Sequence, residues 1–166
     1  MALVLLLNTA ISAWAGPLHD AVRSGDVSAV EKLLGQGVDV NLKGQNDATP
    51  LIVAALEGQM AVAKLLIARG ADIHAWNRGG LTPLHAAAEE NRIQVVKVLH
   101  DKGADLGLQE ASGSYTSLSR AGYRKHWDVV KILMEHGAVC QPVELVGEWM
   151  FQECTKRERA LKGKTN

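Results

Sequence analysis

The chain has 166 residues, 47% of them hydrophobic, enough to bury a continuous core in one compact domain or one short repeat array, which excludes disorder throughout. Lysine plus arginine and aspartate plus glutamate stand at 18 each, so no global field draws the protein to nucleic acid or to an anionic membrane. The balance hides an asymmetry: residues 155–166 hold Lys156, Arg157, Arg159, Lys162 and Lys164 against Glu158, which leaves a mildly acidic body with a short basic tail.

The first fifteen residues, MALVLLLNTAISAWA, carry no charge and are apolar from Ala2 to Ala13 except at Asn8, Thr9 and Ser12. They end in Ala13-Trp14-Ala15 before Gly16. A short apolar stretch closed by small residues at alternate positions reads as a signal peptide, residues 1–15, cleaved after Ala15 and too short to anchor in a bilayer. No base follows Met1, so either the true start lies upstream or the signal is atypical; a retained capping helix on a cytoplasmic protein is the other reading. The expectation is a periplasmic or secreted protein. No cysteine follows the apolar run, so a mature form without a membrane anchor is expected.

From Gly16 a fixed period governs the chain. Pro17-Leu18-His19-Asp20-Ala21 recurs 33 residues later as Pro50-Leu51-Ile52-Val53-Ala54 and 33 later again as Pro83-Leu84-His85-Ala86-Ala87, with a degenerate copy, Ser117-Leu118-Ser119-Arg120-Ala121, after 34. Gly37-Val38-Asp39, Gly70-Ala71-Asp72, Gly103-Ala104-Asp105 and Gly137-Ala138-Val139 keep the same spacing. The repeats are read as 16–49, 50–82, 83–116 and 117–140.

Each period predicts a helix, a tight turn, a second helix and a glycine stop. Thr49-Pro50 and Thr82-Pro83 set a capping hydroxyl before a proline at the first helical position, where its missing N–H costs nothing. Gly25, Gly58 and Asn91 suit the turns. The second helices predict apolar stripes of Val27, Val30, Leu33, Leu34; Met60, Ala63, Leu66, Ile67; Ile93, Val96, Leu99; and Trp127, Val130, Leu133, Met134. Residues 141–166 lie beyond the period and read as a helical cap, with Val143, Leu145, Val146, Trp149, Met150 and Phe151 on the fourth repeat and the basic tail behind. An exposed aromatic docking helix is the alternative there.

LTPLHAAA (Leu81–Ala88), VVKVLHDKGADL (Val95–Leu106) and their copies resemble the ankyrin-repeat family, including small exported bacterial members, over about residues 16–140. The resemblance implies an all-α solenoid of about four helix-turn-helix repeats with projecting β-hairpin-like loops, acting by binding protein. The fourth copy departs from the pattern. It lacks the proline and histidine, Gly107 stands in the usual asparagine place, and one residue is inserted near Tyr115.

Six histidines invite a metal or catalytic role. By the resemblance, His19 and His85 bond across to the neighbouring loop; His74 fills the asparagine place; His100, His126 and His136 are expected to face solvent. No HExxH, CxxC pair, GxSxG, GxGxxG or P-loop occurs, and adjacent Glu89 and Glu90 diverge by about 100 degrees on a helix. The expectation is no enzyme, no metal and no cofactor. Cys140 and Cys154 either form a disulfide, worth about 3 kcal/mol for a loop of this size, or are buried thiols. A helix running unbroken from Pro142 through Cys154 would hold them too far apart to bridge.

For an ankyrin array the resemblance implies contact through the loop tips and the exposed face of each first helix. By register those positions include Trp76, Arg78, Leu81, Glu89, Glu90, Tyr115, Tyr123 and Arg124, the candidate partner-binding set. Packing of Trp76 and Tyr115 against neighbouring loops is the competing reading. A monomer binding a protein partner, with no nucleic acid, is expected. Whether it serves as an exported adaptor or inhibitor, or as a cytoplasmic scaffold with a retained N-terminus, is not fixed by the residues.

Overall fold

The computed structural model describes residues 16–111 and 115–163. The segment read as a signal peptide, the loop positions 112–114 and the last three residues, Lys164 among them, lie outside the described residues. Helical backbone over residues 16–24 (α1) leads into α2 (Val27–Gly35). Three further pairs follow: α3 (Pro50–Glu57) with α4 (Met60–Ala68), α5 (Pro83–Glu89) with α6 (Ile93–Asp101), and α7 (Ser117–Tyr123) with α8 (Trp127–Glu135). Beyond them come α9 (Val143–Val146) and α10 (Glu148–Lys162). First helices pack in one layer, α3 on α5 on α7, and second helices in another, α2 on α4 on α6 on α8, the all-α solenoid that the period predicts.

The start signals work as their chemistry requires. Thr49, Thr82 and Thr116 accept from the backbone N–H of Ile52, His85 and Ser119, so the fourth first helix is capped even though Ser117 replaces proline. Asn91 and Lys125 take the left-handed turn, at φ 57° and 61°, where earlier repeats use glycine.

The core is one continuous cluster in which Leu18, Leu51, Ile52, Leu66, Val95, Leu99 and Val129 are fully buried. The stripes differ from expectation at their first members: Val27 and Met60 are exposed. Each is the first residue of its helix, and a helical side chain leans toward the N-terminus, which carries it off the packed layer. The buried positions are Val30, then Val62, Ala63 and Leu66, then Val95, Val96, Val98 and Leu99, then Val129, Val130 and Leu133.

The loops between repeats close through single backbone bonds, Gly44 N–H to Ala48 O (2.9 Å), Asn77 N–H to Leu81 O (3.1 Å) and Glu110 N–H to Tyr115 O (2.9 Å). Among the described residues they hold no strand, only an isolated bridge between Gln109 and Thr116. Successive loops are tied tip to tip by Arg78 N–H to Asn46 O (2.8 Å) and Ala111 N–H to Gly80 O (3.3 Å). Gly80 sits at φ 75°, and a Cβ there would lie 2.6 Å from the Ala111 nitrogen, so this contact demands glycine.

The cap packs on α7 and α8. Val146 and Met150 are buried, Met150 filling the space over Gly122, where a Cβ would meet its sulfur at 2.6 Å. Gly147, at φ 77° and ψ 158°, separates α9 from α10. That break folds Cys154 back onto Cys140, and the two form a disulfide with α-carbons 5.9 Å apart.

Candidate protein-binding surface

Three sets of side chains hold the repeats in register and so fix the loop tips. In the first, His19 Nε2 donates to Ala48 O (2.9 Å) and His85 Nε2 donates to Tyr115 O (3.0 Å), while the Thr82 hydroxyl donates to His85 Nδ1 (2.8 Å). The fourth repeat has Ser119 in that place. Gln141 takes over, its Oε1 accepting from Thr116 N–H (3.0 Å) and from the Ser119 hydroxyl.

In the second set the residue before each second helix reaches back to the end of the preceding first helix: Gln59 to Arg23 O (2.9 Å), Arg92 to Leu56 O (2.8 Å) and His126 to Glu89 O (2.9 Å). His126 is therefore partly buried and bonded, not turned to solvent as the sequence suggested. Its signal was available, since polar donors recur at 59, 92 and 126 in the period of the repeat.

The third set lies between the loops. Asn41 Oδ1 accepts from Asp72 N–H (2.8 Å), and His74 Nε2 accepts from Asp105 N–H (3.2 Å). Gly107 has no side chain to continue it, and Val139, where the earlier repeats carry aspartate, is exposed.

Burial holds the His85 imidazole below its ordinary pKa of 6.5, against the opposing pull of the Tyr115 carbonyl and Glu110. Unfolded, that ring takes up its proton near the ordinary value, so the unfolded state binds more protons just below it. Folding stability is then present above about pH 6.5 and is lost as the pH falls toward the lower folded value. The His85→Gln variant should cost less stability at about pH 5 than at about pH 7.5. Equal losses in urea denaturation at both pH values would remove His85 from that dependence.

Of the eight candidate contact residues, the structure leaves some open and commits others. Trp76 is 41% exposed and Tyr123 44%. Arg78 is exposed with its Nε 3.2 Å from Asp47 in the preceding tip, Glu90 is exposed, and Leu81 is half-buried. Tyr115 meets Tyr123 edge to face with ring centroids 5.2 Å apart, and the Tyr123 hydroxyl donates to Val146 O at 2.6 Å. Burial, with Tyr115 adding, raises the Tyr123 phenol above its ordinary range.

Glu89 is not free. It accepts from Arg120 (3.1 Å) and from Arg124 (2.8 Å), and this partner holds the Arg124 guanidinium more firmly protonated than usual. Arg120 also pairs with Glu110, whose side chain is only 2% exposed although its register places it on a tip. The pairs to Glu89 join positions about one repeat apart, so the third and fourth repeats share a partly buried ionic cluster. Beside it Tyr115, Tyr123 and Arg124 border a hollow of about 300 Å³. Among the described residues no three histidine, cysteine, aspartate or glutamate side chains are placed to hold a metal ion, and no helix is long and apolar enough to cross a membrane.

A family model for ankyrin repeats, three copies, matches residues 18–110. The chain belongs to the ankyrin-repeat family. No curated protein matches it. Ankyrin repeats are generally protein–protein interaction modules and typically non-catalytic. The matched copies end before α7; the structure adds a fourth ankyrin helix pair and the disulfide-closed cap.

Proposed function

We propose that this ankyrin protein is an exported adaptor or inhibitor that grips a protein partner along the edge formed by the loop tips and the first helices. The observation that carries the reading is the aromatic set on that edge, exposed Trp76 and Tyr123 with half-buried Tyr115 against Tyr123, in a protein that is only 4% aromatic. Such side chains bury large area at small entropic cost and dominate interface energetics. Arg78, Arg124 and Glu90 supply the polar rim, and Leu81 adds half-buried apolar area. Glu89 acts by positioning Arg124.

Export is supported by the Cys140–Cys154 bond, because disulfides persist in oxidising compartments. The mature protein then starts at Gly16, carries no membrane anchor and is monomeric. Intact mass of the protein from its host, with and without reduction and alkylation, tests this part. Export requires a start at Gly16 and two hydrogens fewer than the dithiol; a retained Met1 with free thiols overturns it. Cross-linking in the host extract, repeated with Trp76→Ala plus Tyr123→Ala, tests the edge. A captured partner should be lost by roughly a hundredfold or more, the combined effect of two interface anchors. Undiminished capture rejects this edge as the contact surface.

A further inference from the structure

A second contact surface lies off the row of tips, where the cap meets the last ankyrin helix pair. Trp127, Asp128 and Lys131 on α8 and Arg157, Ala160 and Leu161 on α10 enclose a groove of about 210 Å³. Its walls are the Trp127 indole, Ala160, Leu161 and the aliphatic stems of Lys131 and Arg157. A space of this size takes one large side chain rather than an extended ligand.

The two cations at this groove are only loosely satisfied by the protein. Arg157 lies over the Trp127 ring, 4.0 Å from its centroid, and its nearest carboxylate, Glu153, is 3.7 Å away. Its Nε is buried without an acceptor. Lys131 is exposed, and its partner Glu135 stands 3.6 Å off. Both separations exceed a charge-assisted hydrogen bond. Elsewhere on α10 Arg159 is exposed, while Lys162 is paired with Glu158 at 2.7 Å. Asp128, also lining the groove, opposes a ligand of high negative charge such as a phosphate-rich polymer or an anionic lipid surface.

We infer that this groove binds a peptide segment of a protein partner bearing a carboxylate beside one large apolar side chain. The apolar group enters between Trp127 and Leu161, and the carboxylate meets Lys131 and Arg157. The free C-terminus of the partner supplies it, because there the carboxylate and the side chain leave one α-carbon, which suits a space for a single side chain.

The test uses the full oxidised protein labelled with nitrogen-15, following the Trp127 indole N–H during titration with three peptides: acetyl-Ala-Phe with a free carboxylate, its neutral amide, and acetyl-Glu-Phe-amide. The free acid should shift that signal with millimolar affinity, and both the neutral amide and the glutamate peptide should bind about tenfold more weakly or worse. Binding of the glutamate peptide as tightly as the free acid overturns the assignment to a C-terminus. Lys131→Gln, a change at an exposed position, should weaken the acidic peptide severalfold while leaving the amide unchanged. The inference is overturned if no peptide moves the Trp127 signal by about 10 mM, if the neutral amide binds as well as the acids, or if only phosphatidylglycerol vesicles perturb it.

Discussion

Replacing Arg120 by methionine is expected to destabilise the folded protein by about 3 kcal/mol. Arg120 is the cation for two carboxylates, Glu110 and Glu89, whose side chains are 2% and 14% exposed. Arg124 remains to serve Glu89, but among the described residues no other arginine or lysine is paired with Glu110, so the variant leaves its carboxylate out of water with only the buried His85 imidazole near it. The loss comes from that orphaned carboxylate rather than from the missing contact itself. Adding Glu110→Gln to the same variant should therefore recover most of the stability, a coupling that a double-mutant cycle in urea reads directly. If the double variant is as unstable as Arg120→Met alone, the cluster is not held by this charge pairing.

The second large effect is expected at the cap. Cys140→Ser with Cys154→Ser should lower stability by about 3 kcal/mol, the entropic cost of freeing a loop of this length. What is lost has a definite location. The bond joins the end of the fourth repeat to the middle of α10, while Met150 over Gly122, Gln141 on Thr116, Tyr123 on Val146 and Arg157 over Trp127 are among the other ties between cap and array. Amide exchange should accelerate through α9 and α10 while α3 to α6 keep their protection, since each repeat couples chiefly to its neighbours. Unchanged protection of α10 in the serine variant would show the cap to be held by packing alone.

Much of this architecture was legible because the physics of one repeat is printed several times. Thr49-Pro50 and Thr82-Pro83 announce helix starts by capping and a fixed φ, and two independent markers keep a common spacing. The cap had no such redundancy. Residues 141–166 have no second copy, and the choice between bridged and free cysteines turned on whether a helix from Pro142 would break; the structure breaks it at Gly147.

Side chains that act between repeats were harder to read. His126 and Glu89 looked solvated because local pattern describes one helix face, while their partners lie 31 to 37 residues away. Glu110 lies in a loop whose register says exposed, and Arg120, only ten positions on, draws it inward. Of the candidate contact set, the three aromatic members were placed by register alone, and they emerge as exposed Trp76 and Tyr123 with Tyr115 edge to face on Tyr123.

The disulfide has a mechanical consequence. It closes a short loop from the end of the fourth repeat to the middle of α10, between cysteines 14 positions apart in the sequence, and staples no two repeats together. Tension applied at the ends would pass through the sulfur bridge and bypass that loop, withholding on the order of 45 Å of extension even after the last helices are torn from the array. The stacked repeats, by contrast, would peel apart in series, each yielding its full length. The protein thus combines an extensible spring with a terminal knot that holds its own contour until it is reduced.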